Sequence, residues 1–178
     1  MSPVLQHYFL VDDPYQKILN SLIEGIQQTP SWNQVQYSCF VMAGLIQLAF
    51  EAQGHRVKLL PCTGVAVYKQ QPFKLGFPGL KQNNEELDGH VACIIDETIL
   101  VDFGLGNVRR YGFPEFPIAL AGDCKQSPVF PITLRVGNDI QFQWNTEVIH
   151  PYIEATVENH KPYAKALYQQ YLDLKQGK

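Results

Sequence analysis

Cys39, His90 and Asp102 are the residues of this chain whose types and order could do chemistry. In thiol acyl transfer a cysteine attacks a carbonyl carbon, an imidazole takes the thiol proton, and a carboxylate holds the imidazole's tautomer. Amide N–H groups at a helix start can stabilise the oxyanion that forms. None of the three is diagnostic alone. Free cysteine is commonly core packing, a strand histidine is often a hydrogen-bonded structural group, and an aspartate can cap a turn. The settings of the three carry the weight.

Cys39 stands at the head of YSCFVMAGLIQLAFEAQ, residues Tyr37 to Gln53, in which no charge occurs before Glu51. A helix apolar on most of its circumference belongs inside a protein. Ser38 is a good N-cap and Gly54 supplies the left-handed residue that commonly ends a helix. Cys39 is then in the first turn, where unpaired amides and the positive end of the dipole favour a thiolate.

His90 and Asp102 lie in GHVACIIDETILVDFG, residues Gly89 to Gly104, where two strand-forming runs flank Asp96-Glu97-Thr98. A three-residue loop at 96–98 pairs Ile95 with Ile99 and Ala92 with Asp102, placing His90 one diagonal away on the same face. Such diagonal neighbours are about 7–8 Å apart at the backbone, within side-chain reach. A two-residue loop would send them to opposite faces.

The other segments supply the frame. Asp12-Asp13-Pro14 reads as an acidic cap with proline at the first helical position. Tyr15, Ile18, Leu19, Leu22, Ile23 and Ile26 follow at helical spacing, predicting an amphipathic helix over 13–28. Arg56 to Leu60 and Thr63 to Tyr68 read as two strands, with Pro61 between them as a bulge or edge feature. Residues 69–88 read as a long loop whose Phe73, Leu75, Phe77 and Leu80 suit a lid or pocket wall better than a solvated linker. Beyond Gly104 the chain reads as loop. Gly104-x-Gly106 partly matches a dinucleotide fingerprint, but Arg109 takes the third glycine's place and no helix is expected to follow. Val129 to Val136 and Ile140 to Trp144 alternate around Gly137-Asn138-Asp139 as a second hairpin. A helix is expected from about Tyr163, with Ala166, Leu167, Tyr171 and Leu174 on one face.

A chain of 178 residues fits one domain, 1–178, able to bury about 70% of its unfolded surface. The net charge of −3 with scattered lysine and arginine gives no footprint for nucleic acid. Cys39, Cys62, Cys93 and Cys124 form no Cys-x-x-Cys pair, so no metal site is expected, and reduced thiols point to a cytoplasmic protein. The N-terminus lacks the pattern of a signal peptide and no apolar run reaches membrane-spanning length, so no membrane association is expected.

These residues also carry a resemblance. The helix, glycine and strand of YSCFVMAGLIQLAFEAQGHRVKLL resemble the core of the transglutaminase-like branch of the papain-like fold. GHVACIIDETILVDFGLGN resembles the arylamine N-acetyltransferases, whose histidine precedes a strand and whose aspartate sits in a similar VD-x-G-x-G motif. The resemblance covers roughly residues 37–120. It departs where those acetyltransferases carry an arginine and two glycines, since Val35-Gln36-Tyr37-Ser38 stands there. It also departs at Ala92, where transglutaminase-like enzymes often have tryptophan. The resemblance implies an α+β, papain-like (transglutaminase-like) core with a central buried helix packed on an antiparallel sheet. It makes Cys39 the nucleophile, His90 the base and Asp102 the orienting acid. The expected activity is acyl transfer or amide hydrolysis on a small-molecule or peptide acyl substrate through a thioester, without a bound cofactor, and with acetyl-coenzyme A as a candidate cosubstrate. The competing expectation is a non-catalytic binding module that keeps the fold.

Overall fold

Apolar side chains at nearly every position from Cys39 to Glu51 leave that segment no face for solvent, and in the computed structural model it is a helix with nine buried residues. The structure describes residues 6–82, 84–86, 88–124 and 130–178. Asn83 and Leu87 of the expected 69–88 loop, residues 125–128 of the loop expected beyond Gly104, and Val129 of the expected hairpin lie outside these. In chain order the elements are β1 (His7–Leu10), α1 (Tyr15–Ile26), α2 (Trp32–Val35), α3 (Cys39–Glu51), β2 (Val57–Tyr68), β3 (Gln71–Leu75), β4 (Lys81–Gln82) and β5 (Glu85–Glu86). There follow β6 (His90–Ile95), β7 (Ile99–Asp102), α4 (Gly106–Tyr111), β8 (Ala119–Asp123), β9 (Ile132–Val136), β10 (Ile140–Asn145) and α5 (Ile153–Lys175). No helix among the described residues is long and apolar enough to cross a membrane.

The main sheet runs in the order β1-β8-β7-β6-β2-β10-β9, with β3 also on β2, and β4 and β5 form a separate ribbon. The pair β1 and β8 is parallel, the others antiparallel. The sheet curls until its two halves meet. A methyl at Gly122 of β8 would lie 2.6 Å from Leu134 of β9, and Trp144 of β10 reaches Asp102 of β7. The result is a mixed α+β fold, a nearly closed, barrel-like sheet with α3 packed on its outside.

Curling divides the apolar residues into two cores. Val91, Cys93, Ile95, Ile99 and Val101 join the outer core with α3, while Ala92, Ile94 and Leu100 join the inner one with Phe116, Phe142 and Trp144. The period of two along β6 and β7 thus serves both layers, and both strands are buried throughout. Leu19, Leu22, Ile23 and Ile26 of α1 cover the outer core, as do Ile153, Val157, Ala164, Leu167 and Tyr171 of α5. Close approach of α5 depends on Gly44, where a methyl would sit 3.0 Å from Ala164 Cβ.

Several elements differ from the expectations. Pro14, not an aspartate side chain, occupies the N-cap of α1. The two strands expected around Pro61 are one strand, β2, whose 57–62 portion pairs with β6 and whose 63–68 portion pairs with β10. Pro61 is tolerated near this change of neighbour, where the ladder on that side passes from β6 to β3. The loop expected over 69–88 contains β3, and Phe73 and Leu75 are inner-core residues instead of lid residues. Helix α4 does follow Gly106, and β8 follows it; Ala119-Leu120-Ala121-Gly122 lacks the branched residues that signal a strand. Helix α5 begins ten residues earlier than expected, at Ile153, and runs through Pro162. Its buried stripe holds Ala164, Leu167 and Tyr171, leaving Ala166 and Leu174 exposed.

The position of that stripe has a measurable consequence. Leu167→Ala should lower the unfolding free energy by about 2–5 kcal/mol, because it opens a cavity at a fully buried site. Leu174→Ala, at 42% exposure, should change it by less than about 0.5 kcal/mol. Urea titrations of the two variants check the pair, and equal effects would contradict the observed face.

Candidate active site

The start of α3 is built to hold Cys39 in place. Ser38 is extended, and its Oγ accepts the N–H of Val41 at 3.3 Å, as an N-cap should. Its carbonyl accepts from Met42, so the first-turn amides of Cys39 and Phe40 have no acceptor inside the helix. Helix α4 braces the segment just before it. Asn107 Nδ2 donates to the Tyr37 carbonyl at 3.0 Å, and the Arg110 guanidinium lies 4.9 Å over the Tyr37 ring. A methyl at Gly106 would collide with the Gln36 carbonyl. The glycines of the partial dinucleotide motif therefore serve close packing beside the cysteine.

The hairpin of β6 and β7 has the expected register, with Ile95 opposite Ile99 and Cys93 opposite Val101. Asp96 and Glu97 take φ of +49° and +63° in the three-residue turn, which sends His90 and Asp102 to one face. They meet there. His90 Nε2 and Asp102 Oδ2 are 2.7 Å apart, with both side chains fully buried. An ionised carboxylate only accepts, so Nε2 carries the hydrogen and Nδ1 is the nitrogen left for chemistry. Nδ1 is buried and has no hydrogen-bond partner of its own.

That face turns toward the inner core, while Cys39 belongs to the outer one. The two sides meet because His90 opens β6 and Gly104 lies just past β7, at the sheet's end. A methyl at Gly104 would lie 2.5 Å from Cys39 Cβ and 3.1 Å from His90 Cε1, so these residues share the space its missing side chain leaves. Gly76, at φ +81°, adds a second such approach, since a methyl there would sit 2.5 Å from His90 Cβ. The Cys39 sulfur is directed at the Gly89 carbonyl, 3.9 Å away, with 8% of the residue exposed.

Asp102 is more completely bound than its sequence context indicates. Oδ2 accepts from Trp144 Nε1 at 2.7 Å as well as from His90, and Oδ1 accepts from the Gly104 amide at 2.8 Å. Trp144 is the site residue that sequence reasoning missed. Its signal was indirect: a tryptophan in an alternating strand that needs an acceptor for its N–H, and a buried aspartate that needs donors. Burial opposes a charge on His90, but the charge and hydrogen bond of Asp102, aided by Cys39, outweigh it and raise the imidazolium to about 10. Burial pushes the thiols of Cys62, Cys93 and Cys124 up.

A cleft of about 360 Å³ opens onto these groups, lined by Cys39, His90 and Gly104 and walled by Tyr37, Leu75, Asp88, Asn107, Arg110 and His160. Leu75 and Asp88 come from the expected lid segment, which thus contributes wall at both ends. A larger cavity, about 910 Å³, lies at the other end of the strands beside Phe9, Tyr15 and Thr98, away from the thiol and imidazole. Among the described residues no group of three histidine, cysteine or acidic side chains could hold a metal.

Two outcomes follow. Gly104→Ala keeps the amide bonded to Asp102 but places a methyl where Cys39 and His90 meet, so alkylation of Cys39 by iodoacetamide should slow at least about tenfold in a protein of unchanged circular dichroism. The second concerns pH. The folded imidazolium holds its proton to about 10 against 6.5 when unfolded, so its contribution to stability is complete below pH 6.5 and is lost as pH rises toward 10. The stability advantage over His90→Gln, from urea midpoints, should therefore shrink across that window; an advantage that grows would mean a neutral ring faces Asp102.

No protein-family model, no curated protein and no solved structure matches this chain, and what Cys39, His90 and Asp102 can do is read from their own geometry.

Proposed function

We propose that the protein is a cysteine acyltransferase or amide hydrolase of papain-like, transglutaminase-like type, working through a thioester on Cys39. The observation that carries this reading is the buried His90 and Asp102 pair whose remaining ring nitrogen is unpartnered beside a thiol in the first turn of a capped helix. In the first step the Cys39 thiolate attacks the acyl carbonyl carbon, forming a C–S bond as the π pair moves to oxygen. The first-turn amides of α3 receive that oxyanion. Collapse breaks the bond to the leaving group, which departs with the proton from His90 Nδ1. An amine or water then attacks the thioester, His90 takes its proton, and the C–S bond breaks to return the thiolate. Asp102 keeps the ring oriented and favours its charged form throughout, without taking the proton itself.

The second reading, a binding module of the same fold, is favoured by one observation: Cys39 is 8% exposed and points at a carbonyl. Reactivity separates the two. Limited iodoacetamide treatment near pH 6.5, followed by peptide mapping, should label Cys39 ahead of Cys62, Cys93 and Cys124, whose thiols burial pushes up. His90→Ala should slow this at least about tenfold, and Asp102→Asn should slow it less. Incubation with p-nitrophenyl acetate or acetyl-coenzyme A should leave an acyl group on Cys39, discharged faster by an added amine if the protein is a transferase. Labelling of Cys124 first, or indifference to His90→Ala, would favour the binding module.

A further inference from the structure

Trp144 lies on β10, three strands from Asp102 along the sheet, and touches it only because the sheet curls. Its residue is 1% exposed and its ring packs 4.6 Å from that of Phe142. A space-filling role would be met by any aromatic ring here. The N–H is different: an indole nitrogen is a donor only, and this one is spent on the same carboxylate oxygen that receives His90 Nε2. Two donors converge on Oδ2 and the Gly104 amide takes Oδ1, so the carboxylate plane is fixed from three separate parts of the chain.

Resting on the reading of Cys39 as nucleophile, we propose that Trp144 is a positioning residue of the site, its Nε1–H holding the Asp102 carboxylate oriented so that His90 presents Nδ1 to Cys39. A charge-assisted hydrogen bond from a donor that cannot rotate away fixes a carboxylate's plane. Losing it frees the carboxylate to turn away from the imidazole, and a turned carboxylate supports less well the imidazolium that pairs with the thiolate. The groups around Asp102 leave this effect legible. His90 comes from β6 and the Gly104 amide from the loop after β7, while Leu120 of β8 lies opposite in the ladder. The thiols of Cys62 on β2 and Cys93 on β6 are pushed up by burial and by Asp102's own charge.

The test is the pH dependence of Cys39 alkylation by iodoacetamide between about pH 4 and pH 8. Trp144→Phe keeps a ring and removes the donor, and should move the midpoint of the acid limb up by about one pH unit, the worth of a hydrogen bond to a charged group. Phe116→Leu alters the same inner core and removes no hydrogen bond to Asp102, and should reduce stability with the midpoint unmoved. The unaltered protein gives a second measurement that does not depend on the variant's folding. Trp32 and Trp144 are the only tryptophans, so the indole N–H resonance of Trp144 can be assigned, and it should titrate in step with the acid limb. Fast labelling of Cys39 with an unmoved midpoint in Trp144→Phe, or an indole resonance indifferent to the limb, overturns this role while leaving the nucleophile in place. If Cys39 is not labelled ahead of the other thiols in the unaltered protein, the nucleophile reading fails and the role of Trp144 with it.

Discussion

A carboxylate taken out of water without partners destabilises a fold by several kcal/mol, and Asp102 is 1% exposed. Its burial is tolerable only because His90, Trp144 and the Gly104 amide all donate to it. Those donors come from β6, from β10 and from the loop after β7, so the requirement reaches across the molecule. Strand β10 must swing round far enough to bring an indole to β7, which couples the curl of the sheet to the satisfaction of one charge. The loop after β7 must turn its backbone inward at residue 104 to offer an amide. The His90 and Asp102 pair and the shape of the sheet share a common anchor.

Close approach without side chains is the second theme. Gly104 creates the space where a thiol on the outside of the sheet meets an imidazole whose strand face looks inward. Gly106 allows α4 to press against the Gln36 backbone, and Gly76 allows β3's far end to cross His90. Each of these contacts narrows the freedom of one member of the site. Rotation of His90 is limited on one side by Gly76 and on another by Asp102, and the entry angle of α3 is set by α4 through Asn107 and Tyr37. A site assembled this way is held in one geometry by its own framework, as the proposed acyl transfer would require.

Much of this was legible in the residues because it was local. The Ser38 cap, the apolar run of α3, the positive φ of Gly54 and the three-residue turn of the first hairpin all follow from near neighbours in the chain. From that turn alone the common face of His90 and Asp102 can be derived. What escaped depends on distant partners. Strand β8 has a glycine at 122 where Leu134 packs over it, and nothing near position 122 announces a leucine from β9. Pro162 reads as a boundary, yet Ile153 and Val157 bury on the far side of it and carry the helix through. Trp144 reads as core until the curl of the sheet brings it to Asp102. Pro61 reads as a break because the change of ladder neighbours that accommodates it belongs to β3 and β6, not to its own strand.

The pairing of β1 with β8 has a consequence for how the chain reaches this state. Phe9 lies beside Ala121 in the parallel ladder, so β1 and β8 are joined through the whole intervening chain that carries α3, His90 and Asp102. Closing so long a loop carries an entropic penalty before any contact rewards it. The hairpin of β6 and β7, by contrast, joins neighbours through a three-residue turn and buries both its faces. On loop-closure entropy alone, the hairpin that bears His90 and Asp102 is among the least costly pairings of the sheet to form and its parallel edge among the most costly.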